Sequence, residues 1–226
     1  MPERTLHNIR WIFFDWGGTL FDEAQGTVWA AELVAEQLKR RNCILVDAAE
    51  LARPALEGRS DGQDGLIRTL VDLGVPGAIA LKIINATDFS DIPTPYFEGT
   101  LETLALLRES YGLGVISNNH VYGFQKFLAS RGLAEYFSVV VGSNDAGIRK
   151  PDVRIFRMAL DEAGSAPQES VMIGDRLSKD ISGANAANMR TVRIRQGIFA
   201  HEEPVAPGEV PDAEIASIRQ LPGLLR

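Results

Sequence analysis

Cysteine is almost missing from this chain. Cys43 is the only one in 226 residues, which excludes an intrachain disulfide and a cysteine zinc cluster. An excess of positive charge is missing too: 23 Lys and Arg stand against 30 Asp and Glu, a formal net charge of −7. That balance argues against nucleic acid or an anionic membrane as the main partner, although one local positive site can still hold an anionic substrate. No run is long and apolar enough to span a bilayer. The N-terminus, with Glu3 and Arg4, has no signal-peptide apolar region, so the cytoplasm is the expected location. Internal repeats and low-complexity segments are absent. What remains is an ordinary globular composition, 45% apolar and 23% charged, long enough for one large domain or for a core with a smaller inserted one.

The most informative stretch is Trp11-Ile12-Phe13-Phe14-Asp15-Trp16-Gly17-Gly18-Thr19-Leu20. Four apolar residues, aromatic and β-branched, read as a strand buried on both faces. The run stops at a carboxylate followed by two glycines. Such a strand delivers Asp15 to the carboxyl edge of a sheet, where open α/β folds place their ligands. The glycines allow a sharp bend and a close approach of backbone to something small. Asp and Gly are also ordinary turn residues, so this stretch alone leaves a catalytic and a structural reading open.

From about Thr27 to Arg41 apolar residues recur at helical spacing (Val28, Ala31, Val34, Ala35, Leu38). Asp47 with Glu50 resembles a capping box for a second helix, interrupted by Pro54. Leu66 to Leu73 suggests a third, closed by Gly74, and Pro76 opens a fourth through Ile79, Ile83 and Ile84. No convincing strand appears between Phe21 and Asp91, so residues 22–91 read as a small helical unit. After a linker at Ile92-Pro93-Thr94-Pro95-Tyr96 the pattern alternates. Strands are expected at Leu113–Ile116, Ser138–Val141, Val171–Ile173, Thr191–Ile194 and Ala213–Ile215, with helices between them. Alternation of this kind means right-handed crossovers and a doubly wound parallel sheet. The expected fold is therefore α/β, a Rossmann-like core of residues 1–21 and 92–226 with an inserted α-helical domain of residues 22–91.

Polar groups stand at the ends of successive expected strands: Asp15, then Ser117 and Asn118, then Asp175, with Lys150 on a loop entering a helix. In a parallel sheet these ends share one edge. A helix starting near Ser178 would turn Asp180 back to the same place. Three converging carboxylates repel and raise one another's pKa unless a cation neutralises them, and a hard oxygen-ligated ion such as Mg²⁺ is the economical answer. Carboxylate, Mg²⁺, lysine and hydroxyl together form a plausible phosphoryl site.

Asp15-Trp16-Gly17-Gly18-Thr19-Leu20, Ser117-Asn118, Lys150-Pro151-Asp152 and Gly174-Asp175-Arg176-Leu177-Ser178-Lys179-Asp180 resemble, in order, the four motifs of the haloacid-dehalogenase-like hydrolases. The resemblance covers nearly the whole chain, including a helical cap inserted after the first motif. It implies Asp15 as a nucleophile forming an aspartyl-phosphate, Thr19 buttressing the site, Ser117 bonding the transferring phosphoryl group, and Lys150 pairing with Asp15 and the phosphoryl oxygens. Asn118 and Gly18 would contact substrate. Mg²⁺ would be held by Asp15, the Gly17 carbonyl and Asp175, with Asp180 direct or through water. The cap would exclude water and choose the leaving group. The expected activity is that of a Mg²⁺-dependent phosphatase acting on a small phosphorylated metabolite, as a monomer or homodimer.

One position departs from the family pattern. Most phosphatases of the family carry a second Asp two residues after the nucleophile, to protonate the leaving group and later activate water. Here Gly17 stands there. The departure keeps other readings open: a phosphonoacetaldehyde-hydrolase-like enzyme, which would need a cap lysine and finds only Lys39 and Lys82; a dehalogenase, which needs no metal; or a domain that binds a phosphorylated ligand or protein without turnover. His120 is either a stand-in acid–base group or a partly exposed histidine at a helix start, the latter being the plainer reading. Arg53 and Arg59 are candidates for gripping an anionic substrate, against the reading of solvated arginines in polar loops. Asp22 reads as a hinge or flap residue, Asn144, Asp145 and Arg149 as loop-shaping, and Trp16 as a pocket wall or a packing residue.

Overall fold

The computed structural model of the chain describes residues 5–41, 44–59, 62–87, 89, 95–118 and 124–225. The chain divides into two compact units, Met1–Phe21 with Tyr96–Arg226, and Asp22–Pro95. His120 and most of the expected linker, Ile92 to Thr94, lie outside the described residues.

The first unit is built on β1 (Trp11–Phe14), and the chain then enters the second unit, whose elements are helical among the described residues: α1 (Glu23–Arg40), α2 (Ala48–Leu56), α3 (Gly62–Asp72) and α4 (Gly77–Ala86). Asp22, read from the sequence as a hinge or flap residue, is the N-cap of α1 and accepts from Ala24 N at 3.0 Å. That cap starts the helix four residues earlier than the apolar spacing suggests, because a helix's first N–H groups need an acceptor and Asp22 supplies one. Asp47 caps α2 in the same way. The helix runs two residues past Pro54 instead of breaking there, since a proline in the final turns forfeits only one backbone bond. Leu38, Leu51, Leu70, Ile83 and Ile84 form this unit's own core.

Back in the first unit come α5 (Thr100–Leu107), β2 (Gly112–Ser117), α6 (Phe124–Ser130), β3 (Val139–Gly142), α7 (Ser143–Ala146) and α8 (Val153–Ala163). They are followed by β4 (Ser170–Gly174), α9 (Ser182–Ala186), β5 (Arg190–Ile194), β6 (Ala213–Ile215) and α10 (Leu221–Leu224). The six strands form one sheet in the order β3-β2-β1-β4-β5-β6, and every pairing is parallel. Both faces are covered, as the unbroken apolar strands require. Ile12, Phe14, Val115, Ile173 and Val192 pack into the core on one side, and Phe13, Ile116, Met172, Phe156 and Leu160 into that on the other. Among the described residues no helix is long and apolar enough to cross a membrane.

Register positions the functional edge. Phe14 lies opposite Val115 on one side and Ile173 on the other. Asp15, Ser117 and Asp175 therefore leave their strands within one residue of the same level, beside the switch between β1 and β4. Open α/β sheets bind ligands at such a crevice.

Candidate active site

Asp15 follows β1 directly, and its N–H still donates to Ile173 O at 2.9 Å, which keeps its backbone in line with the sheet. The chain then turns tightly: Gly18 N–H donates to Phe21 O at 2.9 Å and Leu20 N–H to Trp16 O at 2.9 Å. Gly18 sits at φ +73°, and any side chain there would run into Asp175 Oδ2. Glycine is required at that position both for its backbone and for the room it leaves. Trp16 is buried and packs against Phe21, Tyr96 and Phe124, with ring centroids 5.3, 6.4 and 6.1 Å away. Its indole thus packs among three aromatic rings beside the turn.

Lys150 lies on the loop before α8, almost wholly buried. Its ammonium donates to Asp15 Oδ1 at 2.6 Å, to Asp180 Oδ1 at 2.6 Å and to Ile116 O at 2.8 Å, so all three N–H bonds are taken. Asn118 fixes the lysine's backbone from both sides. Its Oδ1 accepts from Lys150 N at 2.7 Å and its Nδ2 donates to Lys150 O at 3.0 Å. Both groups of the Asn118 side-chain amide are therefore engaged with the Lys150 backbone.

Asp180 is brought back to the sheet edge by a wide π-helical turn, Leu177–Ile181, in which Ile181 N–H reaches Arg176 O at 3.3 Å. Its second oxygen accepts from Arg176 N at 3.0 Å. Asp15, Asp175 and Asp180 are all buried, and each can offer an oxygen within 4.8 Å of the others. Burial pushes the Asp15 carboxyl from its ordinary 3.8 up to about 6, and the Asp180 charge adds to that push against the pull of Lys150. For Lys150, burial acts downward, but the charges of Asp15 and Asp180 outweigh it and leave the ammonium above its ordinary 10.5. One lysine thus serves a cluster of three carboxylates, a donor set of hard anionic oxygens that suits a divalent cation of the Mg²⁺ type.

Thr19 is fully buried, and its hydroxyl has no hydrogen-bond partner among the described residues. Ser117 ends β2, also buried. Asp145, in α7, accepts from Phe124 N, the first N–H of α6, at 3.1 Å. Arg53 and Arg59 are exposed residues of the helical unit, and Arg59 is ion-paired with Glu57. Lys39 and Lys82 are exposed helix residues. Two residues the sequence reading passed over belong to this region: Gln196, whose Nε2 donates to Thr19 O at 2.8 Å, and Glu202, whose carboxylate accepts from Leu177 N at 2.8 Å. Both bond backbone groups, and no side-chain pattern signals that.

Comparison with known proteins agrees with this architecture. The family model described as haloacid dehalogenase-like hydrolase matches residues 77–194. A glyceraldehyde 3-phosphate phosphatase of Methanopyrus kandleri is 35% identical over 164 residues, 72% of this chain and 70% of its own. A phosphoglycolate phosphatase of Salmonella typhi is 29% identical over 235 residues, 96% of this chain and 92% of its own. The crystal structure of a 2-haloacid dehalogenase from Pseudomonas syringae pv. tomato superposes with a TM-score of 0.71 at 27% identity, covering 96% of this chain and 97% of that one. By sheet order, strand-end carboxylates and these matches, the chain belongs to the haloacid dehalogenase-like hydrolases, an enzyme family.

Proposed function

We propose that this enzyme is a Mg²⁺-dependent phosphatase of small phosphorylated metabolites, working through an aspartyl-phosphate on Asp15. The observation that carries the reading is the buried cluster of Asp15, Asp175, Asp180 and Lys150 at the sheet edge. A carboxylate held by a lysine is a usable nucleophile when a phosphorus atom is brought in line with it. The ion-paired Lys150 keeps Asp15 ionised despite burial and offers fixed positive charge to phosphoryl oxygens. The Ser117 hydroxyl, at the end of β2 within one residue of Asp15's level, would donate to the transferring group, and the Thr19 hydroxyl, unpartnered among the described residues, would brace it. Asp15, the Gly17 carbonyl and Asp175 would hold the cation, with Asp180, both of whose oxygens are engaged, acting through water. When bound, Mg²⁺ supplies charge neutralisation for the phosphoryl group and removes the repulsion among the carboxylates.

Gly17 supplies no proton to the leaving group. General acid–base help contributes about 10²–10⁴ in rate, so the enzyme works best on esters whose leaving group departs readily. The same residue favours a second reading, a domain that binds a phosphorylated ligand without turnover. Against it stands a nucleophile held in an ion-paired, buried geometry that pure binding does not call for. Dehalogenation is disfavoured because a halide leaves without a cation, and a second and third carboxylate beside Asp15 would then only oppose its ionisation. The test is phosphate release from a panel that begins with glyceraldehyde 3-phosphate, phosphoglycolate and an activated aryl phosphate. Turnover that disappears with EDTA and in Asp15→Asn supports the phosphatase; silence across the panel with retained ligand binding supports the binder.

A further inference from the structure

We propose that the segment Gln196–Glu203 after β5 is a clasp that ties the Asp15 turn to the Asp175–Asp180 turn, with Gln196 and Glu202 as its positioning residues. The inference rests on the phosphatase reading for its consequence in catalysis, but the clasp itself stands on contacts. Below the segment are two arginines of the β5 line. Arg193 is fully buried; it donates to Glu214 Oε1 on β6 at 3.2 Å and to Phe199 O at 3.0 Å. Arg195 donates to Ala200 O at 3.3 Å, to Glu214 Oε2 at 3.1 Å and to Glu203 at 2.6 Å. A buried guanidinium is tolerated only when charge-paired and hydrogen-bonded, so burying Arg193 commits the segment's backbone to one path.

The segment reaches two turns that are far apart in sequence. Gln196 donates to Thr19 O at 2.8 Å, and Gly197, at φ +68°, passes so close to Gly18 that an added Cβ would lie 3.4 Å from its Cα. At the other end Glu202 accepts from Leu177 N at 2.8 Å, the first N–H of the turn that carries Asp180. The Phe199 ring lies 3.9 Å from the Arg176 guanidinium, a cation–π contact. Lys150 ties Asp15 to Asp180 by direct ion pairs. Three carboxylates at this spacing push their turns apart, and the clasp opposes that push through the backbone of both. It thereby sets the separation of the cation-binding oxygens and the aim of Asp15.

Gln196→Met keeps length and removes the donor, Glu202→Met removes the acceptor, and Glu202→Gln retains one. Amide exchange, Mg²⁺ titration by calorimetry and steady-state kinetics are compared across the three, with urea midpoints as a folding control. The clasp predicts crossed effects. Gln196→Met speeds exchange at Leu177 N–H, and Glu202→Met speeds it at Gly18 N–H, groups the altered side chains do not touch. Mg²⁺ affinity falls by about 10–100-fold in both Met variants, the usual cost of losing support behind a metal ligand. It is retained in Glu202→Gln, and in the two Met variants kcat drops while KM is unchanged. Exchange at Leu177 unaltered by Gln196→Met overturns the clasp, as does Mg²⁺ affinity equal to that of the unaltered chain. Absent turnover in the unaltered chain counts against the phosphatase reading alone, and the exchange experiment still decides the clasp.

Discussion

Replacing Lys150 with Met should show how the site's charges are balanced. The ammonium is buried and makes 2.6 Å ion pairs to both Asp15 and Asp180. Exchanging it for a thioether of similar length leaves two buried carboxylates facing one another and Ile116 O without its lysine donor. Breaking a buried pair from one side costs about 3–5 kcal/mol, because the surviving charge is left without compensation. In EDTA at pH 8 the variant should lose that much in urea unfolding. The loss should shrink toward pH 5. Asp15 already titrates at about 6 with Lys150 present, and without the lysine its folded pKa rises further. The folded variant then binds protons that the unfolded chain does not, so its stability falls as pH rises from about 4 through that raised value. Adding Asp180→Asn should return about 1–3 kcal/mol, the usual range for directly coupled neighbours. A loss below about 1 kcal/mol, or one equal at pH 5 and pH 8, would refute the reasoning.

Three further outcomes follow from the same geometry. In metal-free protein the raised Asp15 pKa, 3.8 to about 6, corresponds to about 3 kcal/mol of stability lost as pH rises through that window; urea titrations of the unaltered chain and Asp15→Asn should converge near pH 4 and separate above pH 6, with the Asn variant more stable. Gly18→Ala should cost about 1–2 kcal/mol for the left-handed backbone and, by displacing Asp175, weaken Mg²⁺ binding; calorimetry showing unchanged affinity would contradict the placement of Gly18 against Asp175. Gly17→Asp should raise kcat/KM on alkyl phosphates by up to about 10²–10⁴ and barely change that on activated aryl phosphates, which need no proton.

The parts of this protein legible in its sequence are those encoded by side-chain pattern. Trp11–Phe14 reads as a central strand because four aromatic and β-branched residues in a row suit a strand covered on both faces, and Asp15, Ser117 and Asp175 then share an edge once the strands are parallel. The small helical unit is legible from its periodicity and its Asp47 cap. What escaped the reading depends on backbone. No residue type announces the π-helical turn Leu177–Ile181, so the sequence suggests an ordinary helix from Ser178 and leaves the Lys150–Asp180 pair unseen. Gln196 and Glu202 look like ordinary loop residues because their partners are the carbonyl of Thr19 and the N–H of Leu177. The Asn118 side chain likewise bonds the backbone of Lys150, a contact between residues 32 apart that no spacing signals.

The most direct measurement of the central claim is acid quenching during turnover, followed by mass spectrometry of the peptide that carries Asp15. With Mg²⁺ and a substrate from the phosphate-ester panel, the account predicts one phosphoryl group on Asp15, absent in EDTA and absent in Asp15→Asn. Phosphate release with no adduct on that peptide, or release retained by Asp15→Asn, would contradict Asp15 as the nucleophile.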